Sequence, residues 1–197
     1  MTRLTKRPTR IMLDVDEVVC DFVGHYLTLA GKLLDREFKK EQVKAWSIAD
    51  SLDLPVWAKR ELQYEFSRPG AALKLDLIPG SREAYQELKS IAEIHFVTSP
   101  FEGSQTWGSD RVEWLKHYFG EDVNWHLTKH KYVVQADAMV DDKAEFCEDW
   151  ANQNPGFVVI WDSPWNKSLE LPNSLRTNSW DVAIPAIKTA LNGRSKA

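Results

Sequence analysis

The sequence predicts an α/β fold, a doubly wound parallel sheet with a small helical segment inserted after its first strand. Three observations predict it. Short unbroken apolar runs recur along the chain, as in strands buried on both faces of a parallel sheet. Stretches with apolar residues three and four apart lie between those runs. One early stretch breaks the alternation and shows helical spacing alone.

The first run, Arg10 to Val15, carries Ile11, Met12 and Leu13 and meets charge at Asp14 and Asp16, which marks the end of an apolar strand. Residues 24–77 follow, with helical pieces at Tyr26 to Leu34 and Val56 to Phe66 and no strand between them, closing on the turn signal Ile78-Pro79-Gly80. We read 24–77 as a helical insertion and 1–23 with 78–197 as the α/β core, because a tandem domain would separate the first strand from its sheet. A helix is expected over Ser81 to Ile91, then a strand over Ile94 to Thr98 and a helix over Arg111 to Phe119. Strands at Val123 to Leu127 and Ala136 to Val140, a helix at Lys143 to Asn152, a strand at Phe157 to Trp161 and a helix at Asp181 to Leu191 complete the series. The tail, Gly193 to Ala197, is expected to fray.

Composition excludes several classes. Hydrophobic residues make up 43% of 197, with 9 Trp and 8 Phe at a net charge of −4, which is enough apolar material for a core and rules out a disordered chain. With 25 basic against 29 acidic side chains, broad phosphate neutralisation along a long nucleic acid is not expected. The two cysteines, Cys20 and Cys147, lack zinc-site spacing and read as reduced thiols of a cytoplasmic protein. The basic start, MTRLTKRPTR, leads into an apolar run that stops at Asp14, so neither an export signal nor a membrane span is expected.

Polar residues gather at the C-terminal ends of the predicted strands: Asp14 and Asp16, Thr98 and Ser99, Lys131, and the pair Asp141 and Asp142. Loops converge at that edge of an open α/β sheet, so four strand ends point to one place. Clustered carboxylates repel one another unless a cation or proton lies among them. An all-oxygen donor set without His or Cys favours Mg²⁺, which takes one or two carboxylates together with a substrate phosphate. Thr98, Ser99 and Lys131 supply hydroxyl and ammonium groups suited to phosphate oxygens. In Asp14-Val15-Asp16, one carboxylate is placed to attack phosphorus and the other to handle protons.

The ordered series LDVDEVVCDF, VTSP, LTKHKYVVQAD and MVDDK resembles the four motifs of haloacid dehalogenase superfamily phosphatases, with a Rossmann-like core, and is most similar to the 5′(3′)-deoxyribonucleotidases. The similarity extends to RPGAALKLDLIPGSREA and DRVEWLKHYFG. The resemblance implies Asp14 as nucleophile, Asp16 as general acid/base, Thr98 and Ser99 on phosphate, and Lys131 as the charge-stabilising lysine. It implies Mg²⁺ held among Asp14, Asp16, Asp141 and Asp142, a helical cap over 24–77, and base-stacking aromatics at Phe22, Trp46 and Phe66. Aromatics in such an insertion are more often core than ligand platform, so Trp46 and Phe66 have two readings. Glu17 stands where the family usually has Gly, bringing another carboxylate beside the site. A small nucleotide is the expected partner, with a homodimer as the oligomeric form and no membrane or long nucleic acid. The alternatives are a phosphatase of another small ester and, in a different class, a receiver-like phosphoacceptor module; the latter carries its acid pair at the first strand, whereas here the pair comes late.

Overall fold

The computed structural model describes residues 7–194; the first six residues of the basic start and the tail from Ser195 to Ala197 lie outside the described residues. Six strands form one sheet: β1 (Arg10–Leu13), β2 (Glu93–Thr98), β3 (Asn124–Leu127), β4 (Ala138–Asp141), β5 (Phe157–Trp161) and β6 (Ser174–Thr177). Every pairing is parallel and the order is β3-β2-β1-β4-β5-β6, with β1 at the centre. The order reverses at β1, whose neighbours β2 and β4 both come later in the chain, and that reversal opens the crevice in which doubly wound sheets bind ligands.

The two-residue period of the strands divides the core. Ile11 and Leu13 of β1, Ile94 and Phe96 of β2 and Val140 of β4 face one layer. That layer contains α4 (Ser81–Lys89), α5 (Trp107–Phe119) and α7 (Trp180–Arg194). Met12, Val97, Met139, Val158 and Ile160 face the other layer, where Cys147 and Trp150 of α6 (Ala144–Gln153) pack. Both cysteines are buried free thiols.

Between β1 and α4 the chain is helical: α1 (Phe22–Leu34), the short α2 (Ile48–Ser51) and α3 (Val56–Ser67). They share a cluster of their own, built on Val23, Leu27, Ala30, Ile48, Leu52 and Leu62. The Asp21 side chain caps α1 by accepting the Gly24 amide at 2.8 Å. A Cβ on Gly24 would lie 2.3 Å from that carboxylate, so the cap requires glycine there.

Three sequence expectations need correction. β6 was not foreseen, because Ser174-Leu175-Arg176-Thr177 holds one strongly apolar residue and its four positions are only half-buried at the sheet edge. β3 is not buried on both faces: as the opposite edge strand it leaves Trp125 and Leu127 exposed. The first strand ends at Leu13, two residues early: Asp14 keeps one amide bond to β4, and past it the chain leaves the sheet, with the Asp16 side chain on Arg111.

Candidate active site

The strand ends that converge in the sequence converge in space. Asp14 follows β1 and stays tied to the sheet by its amide, which donates to the Val140 carbonyl at 2.9 Å. Asp141 ends β4 and Asp142 follows it; both are buried, as is Asp14. One carboxylate oxygen from each of Asp14, Asp141 and Asp142 lies within 4.8 Å of the other two. Burial first, then the charge of Asp14, pushes both Asp141 and Asp142 above the ordinary carboxylate range.

Lys131 enters this cluster from a 3-10 turn after β3, and is 2% exposed rather than solvated. Its Nζ lies 2.6 Å from Asp14 Oδ1 and 2.7 Å from Asp141 Oδ2. Burial alone would push the ammonium down, but Asp14 and Asp141 outweigh it and hold Lys131 above its usual range. Asp14 Oδ1 also accepts the Val15 amide at 2.7 Å, while Oδ2 has no hydrogen-bond donor among the described residues. Asp141 Oδ1 accepts the Lys143 amide at 2.9 Å.

Asp16 stands apart from the triad. Its Oδ1 accepts Arg111 Nη2 at 2.5 Å, and Arg111 Nη1 donates to Cys20 Sγ at 3.1 Å. The Arg111 guanidinium is buried between the rings of Trp107 and Trp114, 4.8 and 5.6 Å from their centroids. Burial raises the Asp16 pKa, against the pull of Arg111.

A cavity of about 480 Å³ opens beside the triad. Its polar wall includes Asp14, Asp16, Glu17, Ser99, Lys131 and Asp142; its apolar wall includes Phe22, Trp46, Ile48, Phe101, Trp107 and Trp165. Ser99 Oγ donates to the Thr128 carbonyl at 3.4 Å. Thr98 lies behind it, buried, its Oγ1 without a partner among the described residues. Of the three aromatics expected on the base, Phe22 and Trp46 line the cavity. Phe66 does not: it is 2% exposed and packs behind Phe22, with ring centroids 4.9 Å apart, because the core layer that holds Trp107 claims it.

Glu17 takes the left-handed conformation, φ 58°, that its place in the turn demands, a strained one for a residue with a side chain. The side chain offsets that strain: Oε1 accepts the Val23 amide at 2.7 Å in the first turn of α1, and Oε2 is 3.6 Å from Lys40 Nζ. Burial pushes the Glu17 carboxyl up to about 7.

Arg111 and Trp165 were not singled out in the sequence. Arg111 had a signal: Trp107, Arg111 and Trp114 are spaced four and three apart, which places a cation on the apolar stripe of a helix. Trp165 lies in an aperiodic loop after β5 and carried no comparable signal.

Comparison with known proteins agrees with this architecture. The chain is 28% identical over 193 residues to human mitochondrial 5′(3′)-deoxyribonucleotidase, covering 88% of this chain and 79% of the relative. It is 25% identical over 198 residues to the mouse mitochondrial 5′(3′)-deoxyribonucleotidase, covering 91% and 84%. In fold it is similar to a haloacid dehalogenase-like family hydrolase from Streptococcus pneumoniae, with a TM-score of 0.59 at 13% identity over 90% of this chain and 97% of that one. Residues 7–191, which include every strand and all the site residues described above, match a single family model. The chain therefore belongs to the family described as 5′ nucleotidase, deoxy (pyrimidine), cytosolic type C protein, on a haloacid dehalogenase-like fold.

Proposed function

We propose that the chain is a Mg²⁺-dependent phosphomonoesterase that hydrolyses deoxynucleoside monophosphates through an aspartyl phosphate on Asp14. The observation that carries this reading is Asp14 itself. It is a buried carboxylate with one oxygen held by Lys131 and the Val15 amide and the other undonated at the cavity edge. The triad fits a hard divalent cation, because burial and the charge of Asp14 push Asp141 and Asp142 upward and a cation would relieve that repulsion. Asp14, Asp141 and Asp142 would hold it, and Mg²⁺ would supply charge neutralisation for the phosphoryl oxygens.

Asp14 Oδ2 forms the bond to phosphorus as the ester P–O bond breaks, and Asp16 gives its proton to the departing alkoxide. Asp16 then takes a proton from water as the water oxygen bonds to phosphorus and the Asp14–phosphorus bond breaks, releasing inorganic phosphate. Lys131 stabilises the charge on Asp14 throughout, and Ser99, which lines the cavity, faces phosphate oxygens. The cavity is of a size that holds a nucleoside, within the roughly 300–1,000 Å³ of small-molecule sites. Phe22 and Trp46 offer faces for the base. The 24–77 insertion acts as a cap over this cavity, since its Trp46 and Ile48 form part of the apolar wall. The deoxynucleotide choice is supported by the names of the human and mouse relatives.

The test is phosphate release from a panel of phosphomonoesters with Mg²⁺. Deoxynucleoside monophosphates should lead in kcat/KM, excess EDTA should abolish turnover, and added Mg²⁺ should restore it. Asp14→Asn should lower kcat by several powers of ten with the fold intact. Retention of more than about 1% of wild-type kcat by that variant would remove Asp14 from the role of nucleophile.

A further inference from the structure

One side chain touches both the carboxylate triad and the helical insertion. Trp165 belongs to a 3-10 turn, Pro164–Asn166, that follows β5. Its indole Nε1 donates to Asp142 Oδ2 at 3.0 Å. The turn that carries it is clamped: Asn166 Nδ2 donates to the Asp142 carbonyl at 2.7 Å and to the Trp161 carbonyl at 2.8 Å. Arg176 of β6 holds Asn166 Oδ1 at 2.5 Å and the Asn166 carbonyl at 2.9 Å. The backbone beneath Trp165 is thus fixed to the same residue that its side chain orients.

The other side of the ring faces the insertion. Trp165 packs against the cluster of α1, α2 and α3, and meets Trp46 edge to face, with centroids 6.2 Å apart at 84°. Trp46 is 57% exposed and lines the cavity, and the Lys143 ammonium lies 4.7 Å over its ring. A base stacked on Trp46 would therefore restrain the ring that Trp165 leans on, and through Trp165 the rotamer of Asp142.

We propose that Trp165 is a positioning residue that orients Asp142 for the metal and couples occupancy of the nucleoside wall to metal affinity. The inference rests on the proposed function for the identity of the two ligands, but its geometry belongs to this chain. Donors that hold a ligating carboxylate in place typically contribute about 10–100-fold to metal affinity. Coupling between two sites is reciprocal, so a nucleoside that tightens metal binding must itself bind more tightly when metal is present.

The experiment is titration calorimetry with Mn²⁺ alone, then with Mn²⁺ in the presence of a deoxynucleoside, on wild type and Trp165→Phe. Phenylalanine keeps a smaller aromatic ring against Trp46 and removes the N–H that Asp142 accepts. We expect Trp165→Phe to raise the Mn²⁺ Kd about 10-fold or more, and the nucleoside to tighten Mn²⁺ binding in wild type but not in the variant. Equal Mn²⁺ affinity in the two proteins, or the same nucleoside effect in both, overturns the proposal. A further measurement needs no variant: the Trp165 indole N–H resonance of the wild-type chain should move on Mg²⁺ addition, and a resonance that stays put overturns the proposal as well. Metal binding without hydrolysis of any nucleotide would defeat the proposed function while leaving these outcomes readable.

Discussion

Replacing Arg111 with methionine tests the tie between Asp16 and the core. The variant removes the cation from between Trp107 and Trp114 but fills a similar volume with an apolar chain, so cavity formation contributes little. What remains is Asp16 without its partner. Breaking a buried ion pair from one side costs about 3–5 kcal/mol, because the surviving charge is left uncompensated. The Asp16 side chain is 33% exposed, so water replaces part of what Arg111 supplied and the cost falls to roughly 1.5–3 kcal/mol, the range of hydrogen bonds to charged groups. For a chain of this size each kcal/mol lowers Tm by about 2–4 °C, which predicts a drop of roughly 3–12 °C. Urea unfolding of wild type, Arg111→Met, Asp16→Asn and the double variant completes a cycle that isolates the pair. The coupling energy should exceed about 1 kcal/mol, and Arg111→Met should also lower kcat more than it changes KM, because Asp16 loses the contact that aims it. A coupling energy near zero, with wild-type kcat in the variant, would refute the claim that Arg111 holds Asp16.

The remaining predictions concern Glu17 and Trp46. The Glu17 carboxyl is pushed up to about 7 in the fold, above its value of 4.5 in an unfolded chain, so the folded state binds its proton more tightly. Its contribution is present below about pH 4.5 and is lost as pH rises through about 7, by up to about 3 kcal/mol. Glu17→Gln still accepts the Val23 amide but does not titrate. The urea midpoint of wild type should therefore fall relative to the variant between pH 5 and pH 8, and parallel profiles would show that Glu17 keeps an ordinary pKa. For Trp46→Ala, loss of a stacking face worth about 1–3 kcal/mol should lower kcat/KM for deoxynucleoside monophosphates about 10-fold or more and leave p-nitrophenyl phosphate within about two-fold. An equal loss on both substrates would show that Trp46 acts on the fold or the metal rather than on the base.

The legible and illegible parts of this molecule separate by the physics that places each residue. Asp14, Lys131, Asp141 and Asp142 meet because strand ends on one edge of a parallel sheet must meet, and an apolar run that stops in charge reports each such end. The central strands were legible for the same reason. The edges were only half legible: β6 needs no apolar face where half-burial suffices and so gives no apolar run, while β3 falls where its apolar run predicts but exposes residues that the run suggests are inside. Asp16 shows where the logic of strand ends weakens. Two residues past β1 it has left the sheet, and its direction is set by Arg111 on a helix far along the chain; the resemblance counts Asp16 among the metal ligands, whereas its carboxylate meets the Arg111 cation and lies outside the triad. Phe66 and Trp46 share an insertion and an aromatic character, yet one is core and the other wall: Phe66 lies on the face of α3 that turns into the α/β core, whereas Trp46 stands in the bend before α2 at the cavity. Trp165 completes the argument. It stands in a loop without period, held by Asn166 and by Arg176 of β6, and its contact with Asp142 depends on residues brought together from β4, β5 and β6. The chemistry of the site is therefore written in short segments next to strands, whereas control over that chemistry is exercised by side chains whose neighbours exist only in the folded chain.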